Sequence, residues 1–379
     1  ETLTTEAEAV CSFALSREFG LSADKLFLGI DVGGSTSDIL LLAQDPKNLN
    51  KATLFCESSV RLAAGVFFNA IINSEKFREA LNYYCQKTNK SKVFVNNVEE
   101  MVREAPQKAP YCLNSVFDQL KGLEDYENFY STINEKAKFV FTIPAYVTGL
   151  LLFYSGMLIG NTIKKEQLDQ IKRIDILTFG KGGRLFHWLR EPAGSMATNA
   201  YYRDCLNAGL RLMVDKELEV KYRDEIEVDN KAEVAKGLVQ PKAIEKGASL
   251  NEKDICGEVD VNYLKEDGST IVLNTDDELS GEFFADNMNK LTFTGTKNFQ
   301  VFMDVFCDFV STKTKLYPGV ADLREDIADL RDRIASYVTE DYEYKKALKH
   351  QGGEFPYHQP LIIAEGACFL KTIIKKIFV

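Results

Sequence analysis

A chain of 379 residues, 45% hydrophobic and 27% charged, is long enough for two domains, or three, with a sizeable core. Its formal net charge of −10, with no block basic enough to neutralise a run of phosphates, argues against non-specific nucleic-acid binding. The eight cysteines show no metal or redox spacing and read as reduced thiols of a cytoplasmic protein, and His187, His350 and His358 do not make a metal site.

Thr5 is a good N-cap for a helical stretch running to about Phe19, with Ala9 and Phe13 on one face. Glu6 then falls in the first turn, where the helix dipole favours an acid. The most informative stretch follows. Apolar residues 26–30 deliver Asp31, a Gly33-Gly34-Ser35-Thr36 turn comes next, and a second apolar run, 39–43, begins after Asp38. This pattern predicts a β-hairpin. Gly33 and Gly34 let a ligand's phosphates approach the backbone, whose consecutive N–H groups form an anion-binding concavity. Ser35, Thr36 and Ser37 add hydroxyl donors. Asp31 would be repelled by phosphate unless a cation lay between them, so the combination points to a nucleotide with Mg²⁺; an ordinary glycine hairpin is the alternative.

Residues 53–62 read as a third strand, and 67–165 as a mostly helical insertion broken around 105–110. Within it, 139–160 is apolar and long enough to imitate a membrane span. Pro144 is expected to split it into a strand, 139–143, and a buried helix, 146–159, with no membrane involved. Residues 174–179 form an apolar strand that runs into Gly180-Lys181-Gly182-Gly183-Arg184 and then a helix, 185–189. A Rossmann fingerprint would need an acidic residue closing a following strand about 20 residues on, and none is present. Residues 229–239 read as a helix with small residues for close packing. Further on, 259–264 and 270–273 flank a turn at Gly268, a hairpin signal. Leu323, Ile327, Leu330 and Ile334 form a helical stripe suited to a core face or a coiled-coil-like seam. Residues 360–367 read as a strand entering a glycine turn.

The run from Asp31 to Asp38, Asp-Val-Gly-Gly-Ser-Thr-Ser-Asp, resembles the second phosphate loop of the actin, sugar-kinase and seventy-kilodalton heat-shock chaperone ATPases. In the chaperones that loop reads Asp-x-Gly-Gly-Gly-Thr-x-Asp, so Ser35 stands where they carry a third glycine. Three further segments are similar, in the same order. Residues 5–11 resemble the Glu-Pro-x-Ala-Ala helix, with Glu6 matching the glutamate that orients the attacking water. Residues 180–184 resemble the adenosine loop, Gly-Gly-x-Ser/Thr-Arg, with one extra residue and no Ser or Thr. Residues 229–239 resemble the Ala-Val-Ala-x-Gly-Ala helix that follows. The resemblance covers roughly 5–247, about half of it insertion without a counterpart.

The resemblance implies an α/β fold: a ribonuclease H-like, actin-type ATPase lobe over 1–250, a mixed sheet with helices on both faces, and an α+β extension over 251–379. It implies ATP and Mg²⁺ as cofactors. Asp31 would anchor the metal and, with Glu6, serve catalysis. Gly33, Gly34, Ser35, Thr36 and Asp38 would surround the phosphates. Gly180, Lys181, Gly182, Gly183 and Arg184 would hold adenosine, with Arg184 stacking on the base. These ATPases have two similar halves, and the first carries an Asp-x-Gly-x-Thr loop not found in this sequence. The expectation is therefore a second lobe of a longer protein, whose partners are that first lobe and a protein partner or client. A degenerate lobe kept as an interaction scaffold is the alternative from another class, and a sugar kinase a third.

Overall fold

The computed structural model describes Ala9, Ser12 and residues 24–45, 48–88, 100, 102–104, 120, 122–223, 244–251, 254–264, 268–278, 290–293, 296–316, 323, 333 and 359–378. Its centre is a mixed six-stranded sheet in an α/β fold. The strands are β1 (Lys25–Val32), β2 (Ser37–Asp45), β3 (Asn48–Val60), β4 (Arg173–Phe179), β5 (Glu219–Tyr222) and β6 (Ile244–Asn251). They lie in the order β5-β4-β1-β2-β3-β6, and only β2 runs against the rest. The apolar runs of β1 and β2 are buried at every position from Leu26 to Ile30 and from Ile39 to Leu42, as strands covered on both faces require. β3 alternates instead: Ala52, Leu54, Cys56, Ser58 and Val60 are buried while the residues between them are half-exposed.

Between β3 and β4 come α1 (Ala64–Ile72), α2 (Glu75–Lys87), α3 (Gly122–Ala137) and α4 (Thr142–Thr162); α5 (Arg190–Arg211) follows β4. The insertion is thus largely helical where described. In α2, Ser74 caps the first turn by accepting the Phe77 N–H at 3.3 Å, and Glu75 and Lys87 complement the dipole at either end. α4 is buried on all sides from Thr142 to Ile159. Among the described residues one helical stretch, Glu124–Thr162, is long and apolar enough to cross a membrane, and 94% of its most apolar window lies inside the fold. α5, α6 (Lys297–Cys307) and α7 (Leu361–Phe378) all pack on α4. Tyr201 of α5 donates to the Ala145 carbonyl at 2.7 Å, and Tyr146 donates to the Gly366 carbonyl of α7 at 2.9 Å.

Two expected strands are helical. Residues 138–141 form a 3-10 turn that feeds directly into α4, and no strand occupies 139–143. Pro144 does not break the helix because it sits in the first turn, where its missing N–H has no intrahelical partner to lose. Residues 361–367 begin α7. Gly366 is tolerated inside that helix because a β-carbon there would strike the Leu150 side chain. The expected hairpin forms as β7 (Val261–Leu264) paired with β8 (Thr270–Leu273), and β9 (Lys290–Phe293) joins the other edge of β7. Ala9 is helical and buried, as is Leu323. Glu6, residues 229–239, Ile327, Leu330 and Ile334 lie outside the described residues.

The single tryptophan, Trp188, ties the insertion to the segment after β4. Its ring lies 4.8 Å from Phe67 of α1, 5.2 Å from Tyr130 and 5.6 Å from Phe129 of α3, and 5.8 Å from Phe141. These edge-to-face and tilted ring contacts fix the glycine-rich segment 180–184 between the sheet and the insertion.

Candidate functional site

β1 and β4 are parallel neighbours with Asp31 level with Phe179, so the two glycine loops leave the same edge of the sheet. In open α/β sheets that carboxyl edge is where ligands bind. The first loop closes the hairpin. Asp31 pairs with Asp38 and Val32 with Ser37, and the Gly33 N–H bonds the Thr36 carbonyl at 2.9 Å. Gly34, Ser35 and Thr36 are exposed, and Asp31 and Asp38 are half-buried. Ser59 donates to the Asp38 carboxylate at 2.6 Å, and Ser37 donates to the Leu62 carbonyl at 2.5 Å.

The second loop folds back onto the first. Gly180 takes a φ of 68°, which L side chains rarely adopt, and a β-carbon there would collide with the Asp31 carboxylate. At Gly182 a β-carbon would collide with the Val32 carbonyl and lie 2.8 Å from the Ala64 β-carbon. Lys181 to Arg184 form a 3-10 turn that leads into the short helix Leu185–Trp188. The two loops expected to share a ligand are therefore in contact.

A third wall was not legible beforehand. α1 has no side-chain cap, and its first N–H groups are taken by the β1–β2 turn: Ala64 donates to the Gly33 carbonyl at 3.1 Å and Gly65 to the Gly34 carbonyl at 2.9 Å. The small residues Ala63-Ala64-Gly65 are the only local sign of this close approach. A second unforeseen residue is Tyr126 of α3. Arg184 donates to its hydroxyl and holds its guanidinium carbon 4.7 Å from the ring centroid.

Behind the second loop, Thr178 and Tyr222 share a hydrogen bond at 3.2 Å, and the Tyr222 hydroxyl meets His187 Nε2 at 2.7 Å. Burial, assisted by the Arg190 and Arg184 charges, pushes His187 down to about 3. It is a neutral structural imidazole at ordinary pH.

Among the described residues no group of three or more His, Cys, Asp or Glu side chains could hold a metal. Mg²⁺ keeps several waters and takes one or two carboxylates with substrate phosphates, so the facing pair Asp31 and Asp38 fits it. An open groove of about 650 Å³ lies elsewhere, between α5, the start of β5 and α6, lined by Arg203, Asp204, Arg211, Glu219 and Lys313. Glu219 pairs with Arg173 at the beginning of β4, which puts this groove at the sheet edge opposite the glycine loops. No protein-family model matches the chain, and no curated protein matches it.

Proposed function

We propose that the chain is one lobe of a chaperone-like or actin-like ATPase that binds Mg-ATP at its two glycine loops and couples binding or hydrolysis to conformational change. The observation that carries this reading is the apposition of Gly180 and Gly182 to Asp31 and Val32, which joins two motifs far apart in sequence. The mixed α/β sheet is compatible with it: β2 lies antiparallel between β1 and β3, with β4 and β5 beyond β1.

In this reading Asp31 and Asp38 would hold Mg²⁺, which when bound would neutralise phosphate charge. Gly33 to Thr36 offer backbone and hydroxyl donors to the phosphates. Gly180 to Gly183 present flat backbone to adenosine. Glu6 carries the water-orienting role by resemblance alone. Catalysis of this kind is positioning and charge stabilisation, with closure of a second lobe over the nucleotide.

A nucleotide titration followed through the backbone amide resonances of residues 33–36 and 180–184 tests it. Mg-ATP should shift both sets together, and Asp31→Ala should remove the response. Shifts confined to other surfaces would refute the reading. The scaffold alternative draws on one observation, the engagement of Arg184 by Tyr126. A folded protein whose loops never respond to Mg-ATP supports that alternative.

A further inference from the structure

Where α7 meets the head of α6, two acidic side chains are buried together. Glu258 and Glu365 are both 0% exposed. Glu258 is well supplied with donors: Oε1 accepts the Val259 and Asn298 N–H groups at 2.9 Å, and Oε2 accepts the Phe299 N–H at 3.0 Å. It therefore caps α6 as a carboxylate. Among the described residues, neither oxygen of Glu365 has a donor. Its charged neighbour is the Glu258 carboxyl. Two bare carboxylates have no means of staying in contact without water, whereas one proton between them converts repulsion into a charge-assisted O–H···O⁻ bond. The proton belongs on Glu365, because Glu258 is already satisfied as an anion.

We propose that Glu258 and Glu365 share one proton and form a latch that docks α7 on the head of α6 and releases it when the proton is lost. The surroundings suit this. Leu361 at the start of α7 donates to the Cys256 carbonyl at 2.9 Å, and Gly257 leaves room for Ile362 that no side chain could. Among the described residues, the titratable groups facing the pair are Cys256, Cys368 of α7 and Tyr146 of α4, with Asp277 near Cys256 and Cys307 of α6 near Tyr146. Lys297 at the rim is paired with Asp260 at 2.5 Å. Burial raises both carboxyls, Glu365 well above its ordinary range with the Glu258 charge adding to it, so docking is strongest in acid and weakens as pH rises.

Infrared spectroscopy at neutral pH should show the C=O stretch of a protonated, water-excluded carboxylic acid, absent in Glu365→Gln. Hydrogen-exchange protection of residues 361–378, corrected for intrinsic rate, should fall from neutral to alkaline pH in the wild type. In Glu365→Gln, whose amide N–H reaches Glu258 without titrating, that fall should vanish while the helix stays protected. No acid band in the wild type, or the same pH dependence in the variant, overturns the latch. If the variant fails to fold, the wild-type band and pH profile decide.

Discussion

Asp31 and Asp38 stand directly opposite one another on one face of the β1–β2 hairpin. Like charges so paired destabilise a sheet, and the Ser59 hydroxyl, 2.6 Å from Asp38, offsets part of this. A divalent cation would relieve the rest. Asp38→Asn should therefore raise the melting temperature of the ligand-free protein by a few degrees at most, and weaken Mg²⁺-dependent nucleotide binding. Mg²⁺ alone should stabilise the wild type more than the variant. Differential scanning calorimetry with and without the ion checks both; a variant that melts lower would show the serine bond outweighing the repulsion.

The two glycine loops respond differently to a methyl group. A β-carbon at Gly182 would meet the Val32 carbonyl and, at 2.7 Å, its Cγ1, both held by the sheet. Gly182→Ala should cost about 1–3 kcal/mol, the usual penalty of overpacking. Around Gly34 no atom lies within 4 Å of such a carbon, so Gly34→Ala should leave stability within about 0.5 kcal/mol of the wild type. Urea unfolding of the two variants separates them. If phosphates lie on the first loop, Gly34→Ala should nevertheless weaken Mg-ATP binding.

What could be read from sequence follows the range over which each feature is encoded. The hairpin is legible because residues 26–30 and 39–43 flank their own turn. The buried helix is legible because its apolar run exceeds any strand. The segment 139–143 is not, since a short apolar run carries no period that separates a buried strand from a buried helix turn, and a proline can start a helix as well as stop one. The same ambiguity hides the start of α7 at residue 361, where Gly366 mimics a turn. Contacts between distant segments leave no local mark. Gly180 against Asp31 depends on the β1–β4 pairing across the whole insertion, and Tyr126 beneath Arg184 depends on where α3 docks.

Acid stability should reveal two groups acting in opposite directions. His187 is held down to about 3 from 6.5 by burial and the neighbouring arginines, so between those values the unfolded chain binds the extra proton and stability rises with pH. Asp254 is raised from 3.8 to about 6 by burial, against the Ser58 and Tyr154 hydroxyls that donate to it at 2.5 and 3.3 Å. Between those values the folded protein holds the extra proton, and stability falls as pH rises. Each contributes up to about 1.4 kcal/mol per pH unit, so the two offset one another over the shared range. Relative to the wild type, His187→Gln should tilt the profile downward with rising pH there, and Asp254→Asn should tilt it upward. Melting temperatures across that range, for wild type and both variants, check the signs. Parallel profiles for the two variants would show that neither group titrates as placed.

Arg184 faces a choice that its two proposed roles resolve in opposite ways. Its guanidinium lies over the Tyr126 ring and donates to the hydroxyl, and Tyr126 is itself only 5% exposed. A purine that stacks on Arg184 must either use the face turned away from the ring or draw the side chain off it. A cation–π contact is worth about 0.5–2 kcal/mol, and the hydroxyl bond adds about 1. Tyr126→Phe keeps the ring and removes the acceptor, so the unliganded fold should lose about 1 kcal/mol. With that bond gone the guanidinium is held less tightly and should bind nucleotide more strongly, because a larger fraction of molecules is already competent. Arg184→Ala should lose the contact with both ring and base. Trp188, four residues away and the only tryptophan, reports the packing of this corner by its fluorescence in each variant. Nucleotide affinities that rise in Tyr126→Phe and fall in Arg184→Ala place Arg184 at the ligand. If both variants leave nucleotide response unchanged while Arg184→Ala loosens the environment of Trp188, the Arg184–Tyr126 pair is a structural clamp, as the scaffold alternative requires.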